Sequence, residues 1–318
     1  MKKIYKPVAA VACALLAFTG IAFAKSKLKV YTDLSDFSYL VEQIGKDKVS
    51  SEYFVAPYQN PHFQEPKPSF IVKLNKADVL IEAGLELTKA WLQPIVEQAR
   101  NKDIVPGGKH HFYAYPGIDI LDVPERKLTR FEGDVHPAGN PHYNYDPKAM
   151  LQVSVNIKDA LATVDPEGEK FYSDNQAAWG TGYEKALARW ESQMAPWKGA
   201  KIVMYHTSLR YFVMRYGLTE TGTVEPKPGV TPSGQYLADL TEKMKAQNCK
   251  VILYEPWDSK KFIETLARNT GAVAVEISPG VGSPKSVTSI EQRWDYTIGK
   301  VLEAFKEAGY SPVKESVK

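Results

Sequence analysis

Three of the six histidines stand where an imidazole is free to act as a ligand. His62 and His142 occur in the same short unit, Asn60-Pro61-His62-Phe63 and Asn140-Pro141-His142-Tyr143, in which a proline immediately before the imidazole stiffens the chain. His206 directly follows the apolar run Lys201 to Tyr205. Stiff presentation suits a metal ligand, because a preorganised group loses less freedom on binding. Neutral imidazoles suit zinc, with Zn–N near 2.0–2.1 Å, whereas manganese and magnesium prefer more oxygen. Protons compete for such nitrogens as pH falls toward the usual histidine pKa near 6.5, so metal binding is expected to weaken there.

The elements that must position these residues alternate between strand and helix. Leu28 to Thr32, Val49 to Val55 and Val79 to Ile81 read as strands, interleaved with helices over Ser35 to Gly45, Pro68 to Leu74 and Leu87 to Gln98. The pattern returns with strands at Lys201 to Tyr205, Val251 to Tyr254 and Ala272 to Ile277. Their helices are Tyr211 to Tyr216, Ser259 to Asn269 and Ser289 to Ala308. Between the two series run helices at Lys148 to Leu161 and Glu167 to Met194, the second opened by Asp165-Pro166 and weakened in its middle by Gly180 and Gly182, which leave room for a bend. The fold class is therefore α/β. A lobe over residues 25–163 and another over 197–318, each with its own core and a mainly parallel sheet flanked by helices, are joined by a long connector helix over 164–196. Open sheets of this kind bind ligands beyond the carboxyl ends of their strands, where His62 and His206 fall; His142 lies just before a helix start.

Residues 1–24 have the composition of an export signal, with Lys2, Lys3 and Lys6, an apolar run from Val8 to Phe23, and Ala22-Phe23-Ala24 before the expected cut. Lipid anchoring at Cys13 is disfavoured, because cleavage there discards most of the apolar run. The run also falls short of the roughly 20 residues that span a bilayer. The chain has 40 Lys and Arg against 37 Asp and Glu, and loss of the three signal lysines leaves 37 against 37. That balance gives no footprint for nucleic acid or for stable membrane insertion. Cys249 is then the one remaining cysteine, so no internal disulfide forms, and its apolar setting reads as core.

Several further residues bear on the site. His110 and His111 lie in a Gly-rich polar stretch and read as an exposed turn. His136 lies near His142 and reads as a residue behind the ligands or facing solvent. Gln64 and Glu65 are placed to orient His62. Trp179, Trp190 and Trp197 read as packing between the connector helix and the lobes.

The segments Asn60 to Ser69, Asp78 to Leu87 with Trp91-Leu92, Asn140 to Pro147, Tyr205 to Leu218 and Phe262 to Val275 together resemble the zinc/manganese solute-binding proteins of bacterial ABC importers, in order along the chain. The resemblance implies a periplasmic receptor that takes up Zn2+, with Mn2+ second, and passes it to an importer permease with its ATPase while acting as a monomer. It implies metal ligands at His62, His142 and His206, a histidine at the third place pointing to zinc. His62 and His142 belong to the first lobe and His206 to the second, so the ion joins the lobes, and the stiff connector implies only a small lobe movement on release. One position departs from the family pattern, Ser278 standing where an Asp is common. The fourth ligand is then water or Glu255, with Glu276 and Glu225 as further candidates. Two other readings stay open: a zinc hydrolase with a three-His site and bound water, and a receptor for a different solute on the same scaffold. The chain has no His-Glu-x-x-His spacing and no phosphate-binding glycine loop.

Overall fold

The computed structural model describes residues 26–125 and 136–313. Residues 1–24, read above as an export signal, lie outside the described residues, and Cys13 with them. Two four-stranded sheets, all parallel, carry the fold. The first is built from β1 (Leu28–Thr32), β2 (Val49–Tyr53), β3 (Val79–Glu82) and β4 (His111–Tyr113), in the order β2-β1-β3-β4. The second uses β5 (Lys201–Met204), β6 (Thr219–Thr223), β7 (Val251–Tyr254) and β8 (Val273–Glu276), in the order β6-β5-β7-β8. Both sheets therefore reverse direction of winding at their first strand, and the crevice beyond the carboxyl end of that strand is where such sheets bind ligands. In the first sheet this crevice opens at Asp33 to Asp36, and in the second at Tyr205 and His206.

The helices α1 (Ser35–Gly45), α2 (Pro68–Asn75), α3 (Lys89–Gln98) and α4 (Ala149–Val164) flank the first sheet. The second is flanked by α6 (Arg210–Arg215), α7 (Gly234–Ala246), α8 (Lys260–Thr270) and α9 (Ile290–Glu307). Between them α5 (Glu169–Met194) runs 26 residues, about 39 Å at 1.5 Å per residue. It stays helical through Gly180 and Gly182. Trp190 and Tyr183 on its inner face are fully buried, Trp190 against Trp294 of α9, as expected for connector packing. Trp197 packs on Phe305, and Trp179 stacks on Tyr183.

Three elements escape the sequence pattern. β4 is three residues long, β6 has the polar sequence TETGT, and α7 lies in a stretch that the sequence reading left unassigned. The expectation of a separate core for each lobe also needs correction. The largest cluster of buried apolar side chains is continuous from Val30 and Phe37, through Tyr183 and Trp190, to Ile202, Trp294 and Phe305. Smaller clusters around Leu74 and Leu92 and around Leu240 and Ile252 back the outer face of each sheet.

His111 is not in an exposed turn. β4 pairs in parallel with β3, which turns the imidazole inward, and its Nε2 lies 2.6 Å from Glu82 Oε1. Its neighbour His110 is only partly exposed, and its carbonyl accepts from Leu80 N.

Candidate metal centre

Each of the three histidines is set by a local rule that the sequence contains. After β2 the chain enters a single 3-10 turn at Pro61–Phe63, where the Asn60 side chain accepts from His62 N at 2.9 Å. Trp91 of α3 donates its indole N–H to Pro61 O at 2.8 Å, tying this turn to the helix below. The second Asn-Pro-His unit repeats the device, with Asn140 Oδ1 accepting from His142 N at 3.0 Å. Gly139 precedes it at φ +99°, and an added Cβ would approach Leu121 O to 2.8 Å, so glycine is required for the chain to reach this loop. His206 follows β5 in extended backbone, two residues past Met204, and the N–H of the intervening Tyr205 still bonds Leu253 O.

These three turns bring His62, His142 and His206 together. One ring nitrogen from each lies within 4.8 Å of the others. His62 Nε2 faces His142 Nε2 at 2.9 Å. The other ring nitrogens of two of them are engaged: His142 Nδ1 lies 2.8 Å from Asn140 Oδ1, and His206 Nδ1 lies 2.8 Å from Glu225 Oε2. Both acceptors call for a proton on Nδ1, leaving the lone pair on Nε2 for the centre of the cluster. Burial, and then the neighbouring His62, His206 and His136, hold His142 well below the usual imidazole pKa, so this ring stays neutral and able to donate its lone pair.

His136 is buried and stacks on His62 with ring centroids 5.1 Å apart, behind the trio and not facing solvent. Gln64 is buried and donates to Glu65 O, while Glu65 is exposed. Glu225, weighed from sequence as a ligand, instead holds His206 from behind and also accepts from Gly229 N at 3.0 Å. Glu255 is fully buried beside the trio, with one oxygen accepting from the Tyr145 hydroxyl and the other from Ser208 at 2.9 Å. Burial pushes its carboxyl up, and burial next to Glu255 also raises Asp258, whose Oδ2 accepts from Glu255 N. Glu276, at the end of β8, leaves the site: its side chain is 41% exposed and faces Lys260 at 3.9 Å. Ser278 is buried, its hydroxyl bonded to Gly280 O and Ser283 O. Tyr145, Asn140 and Asp36 were not singled out from sequence as shaping residues, because the partners that tie them to the second lobe, Glu255, Thr207 and Arg293, lie 110, 67 and 257 positions away.

The trio closes one side of a cavity of about 50 Å³ that is also lined by Asp36, Asn60 and Glu255. A second hollow of about 170 Å³ lies on the other side of His142 and His206, against Asp122, His136 and Arg210. The floor between the lobes is closed by Arg293 of α9, fully buried, which bonds Asp36 and donates to Asn144 O at 3.0 Å and to Ser278 O at 3.0 Å.

Fold and site together define a two-lobed α/β protein with an imidazole cluster at the lobe junction. The same fold occurs in a crystal structure of ZnuA, with a TM-score of 0.73 over 88% of this chain and 99% of that one at 22% identity. It occurs again in a Mn-bound periplasmic metal binding protein from Candidatus Liberibacter asiaticus, with a TM-score of 0.71, 18% identity, and coverage of 87% and 99%. The chain belongs to the family described as zinc-uptake complex component A, periplasmic, whose pattern matches residues 30–307. Among its relatives is the zinc-binding lipoprotein AdcA of Streptococcus pneumoniae, 22% identical over 320 residues, covering 96% of this chain but 61% of that protein, so the chain spans under two thirds of that relative. The high-affinity zinc uptake system protein ZnuA of Bacillus subtilis is 26% identical over 82% of this chain and 81% of its own length. The manganese-binding lipoprotein MntA of Halalkalibacterium halodurans is 26% identical over 80% and 79%.

Proposed function

We propose that this chain is an exported receptor that binds one Zn2+ through His62, His142 and His206, with Mn2+ a poorer fit, and delivers it to the permease and ATPase of an ABC importer. The observation that carries the reading is the convergence of three imidazole nitrogens within 4.8 Å from three separate loops. An all-nitrogen set favours zinc over the oxygen-seeking ions. Water or Glu255 completes the coordination: Tyr145 and Ser208 each take one acceptor site on the Glu255 carboxylate and hold it beside the trio, and each oxygen keeps a lone pair for an ion. The names of two relatives point to zinc and that of a third to manganese.

The cavity size argues against the other two readings. Sites for small organic ligands enclose roughly 300–1,000 Å³, whereas the space next to the trio is about 50 Å³. It admits an ion and a few waters, and even with the hollow of about 170 Å³ beyond His142 and His206 the space stays below that of an organic-ligand site. We read the chain as a binding protein without turnover, acting as a monomer, with lobes near 25–163 and 197–318 on either side of the connector.

Elemental analysis of the purified chain tests this. One zinc per chain is expected, falling to none when His62, His142 and His206 are all replaced by alanine. An unchanged metal content in that variant refutes the ligand set. Among the described residues no helix is long and apolar enough to cross a membrane. Two relatives are named lipoproteins, which sets them against the expected cut after Ala24. Intact mass of the exported protein decides: a chain beginning at Lys25 supports the cleaved form, and a lipid-modified Cys13 overturns it.

A further inference from the structure

His142 and His206 belong to different lobes, yet one side chain grips both their loops. Asn140 Oδ1 takes the main-chain N–H and the Nδ1 proton of His142, at 3.0 and 2.8 Å. Its Nδ2 donates to the carbonyl of Thr207, the residue after His206, at 3.0 Å, and to Asp122 at 3.1 Å. Its own carbonyl accepts from the Tyr211 hydroxyl at 2.7 Å, and that hydroxyl accepts from Leu121 N at 3.1 Å. Asn140 is buried, so these bonds are shielded from competition with water. The loop stays fastened to the second lobe further on. Asn144 O accepts from Arg293, Tyr145 donates to Glu255, and Asp146 forms two bonds with Arg215 at 2.7 and 2.5 Å.

The loop carrying His62 is held in another way. Gln59 N bonds Ala56 O, Phe63 N bonds Asn60 O, and Trp91 bonds Pro61 O, all inside the first lobe. Tyr58 and Phe63 on this loop are 62% and 70% exposed, although both are aromatic. Segments with few buried contacts open at lower free energy than those tied into a core.

Resting on the three-histidine reading, we propose that Asn140 is a positioning residue that assembles His142 and His206 into a half-site before any ion arrives, so that His62 is the ligand that completes the site and the first to leave it. An amide is suited to this task because it accepts and donates at once. A carboxylate keeps the grip on His142 but cannot donate to Thr207 O. An apolar side chain loses both.

The test uses the full mature chain with Zn2+ as probe. In hydrogen exchange of the wild type, zinc is expected to slow residues 56–67 by roughly tenfold or more and to leave 140–146 and 206–212 nearly unchanged, since those segments are already locked. Equal slowing of all three overturns the proposal, because the half-site then forms only with metal. Asn140→Asp is expected to weaken Zn2+ by roughly tenfold and Asn140→Ala by up to about 100-fold, the loss appearing mainly as slower association. With Co2+ as a spectroscopic probe, the loaded variants keep the wild-type visible bands, because the three nitrogens are the same. Wild-type affinity in both variants, or a loss carried by faster dissociation, refutes the role of Asn140. His142→Ala serves as the reference: if it too binds Zn2+ like the wild type, the ligand reading fails and not merely this inference.

Discussion

Glu225 gives the sharpest handle on how the site gains affinity. Its Oε2 lies 2.8 Å from His206 Nδ1 and also takes Gly229 N at 3.0 Å, so it is fixed before it acts on the imidazole. The side chain is only 18% exposed, which limits screening by water. A carboxylate behind a ligating imidazole fixes the ring and raises its basicity, and loss of such a partner costs about 10–100-fold in metal affinity, or roughly 1.4–2.7 kcal/mol. The two replacements divide that range. Glu225→Gln retains an oxygen to accept from His206 Nδ1 and removes the charge, so a loss of about tenfold is expected. Glu225→Ala removes both, and the loss should approach 100-fold. Competition between the protein and a chromophoric zinc chelator at pH 7.5 reads both constants. If Glu225→Gln binds within about twofold of wild type, charge transfer of basicity through Nδ1 is not what this contact does. If Glu225→Ala does so too, the contact plays no part in metal binding at all.

Two further outcomes follow from buried groups. Arg293→Met strands the Asp36 carboxylate in the closed floor of the lobe junction and should cost about 3–5 kcal/mol in urea unfolding. Much of that should return in Asp36→Asn/Arg293→Met, and a single variant within 1 kcal/mol of wild type refutes the clasp. His142, held neutral in the native state, gains a proton only on unfolding as pH falls below about 6.5. The metal-free protein should therefore lose up to about 1.4 kcal/mol per pH unit from this group below pH 6.5, until the native pKa is reached. Asp33, pushed up to about 7 by burial and Glu82, acts in the opposite sense, being protonated in the native state where the unfolded chain is not. The difference between wild type and His142→Asn in urea titrations from pH 7 to 5 isolates the histidine; identical slopes refute its neutral burial.

The convergence of the histidine trio was legible because each member obeys a rule a few residues long: His62 and His142 follow Asn-Pro, and His206 comes directly after an apolar strand run. What held them in place was not, because the partners are remote in sequence: Asn140 reaches Thr207, His206 reaches Glu225, and Asp36 reaches Arg293 across 257 positions. The missed elements have separate causes. β6 is nearly devoid of apolar residues, and β4 is too short to show alternation. α7 did carry a helical signal, Leu237, Leu240 and Met244 on one face behind the Ser233 cap. His111 was misread because its burial depends on Glu82, contributed by the neighbouring strand of the sheet. The resemblance to the receptor family, by contrast, was carried by short segments spread along the whole chain and agrees with the family match over residues 30–307.

The unbroken band of apolar side chains through Tyr183, Trp190 and Trp294 has a mechanical meaning. Neither half can be melted, pulled or clipped away while the other stays intact, because each would expose the same shared seam to water. On the proposed function, the motion that frees the ion must then be one that leaves this seam dry, which restricts the working parts of the molecule to the rim above it.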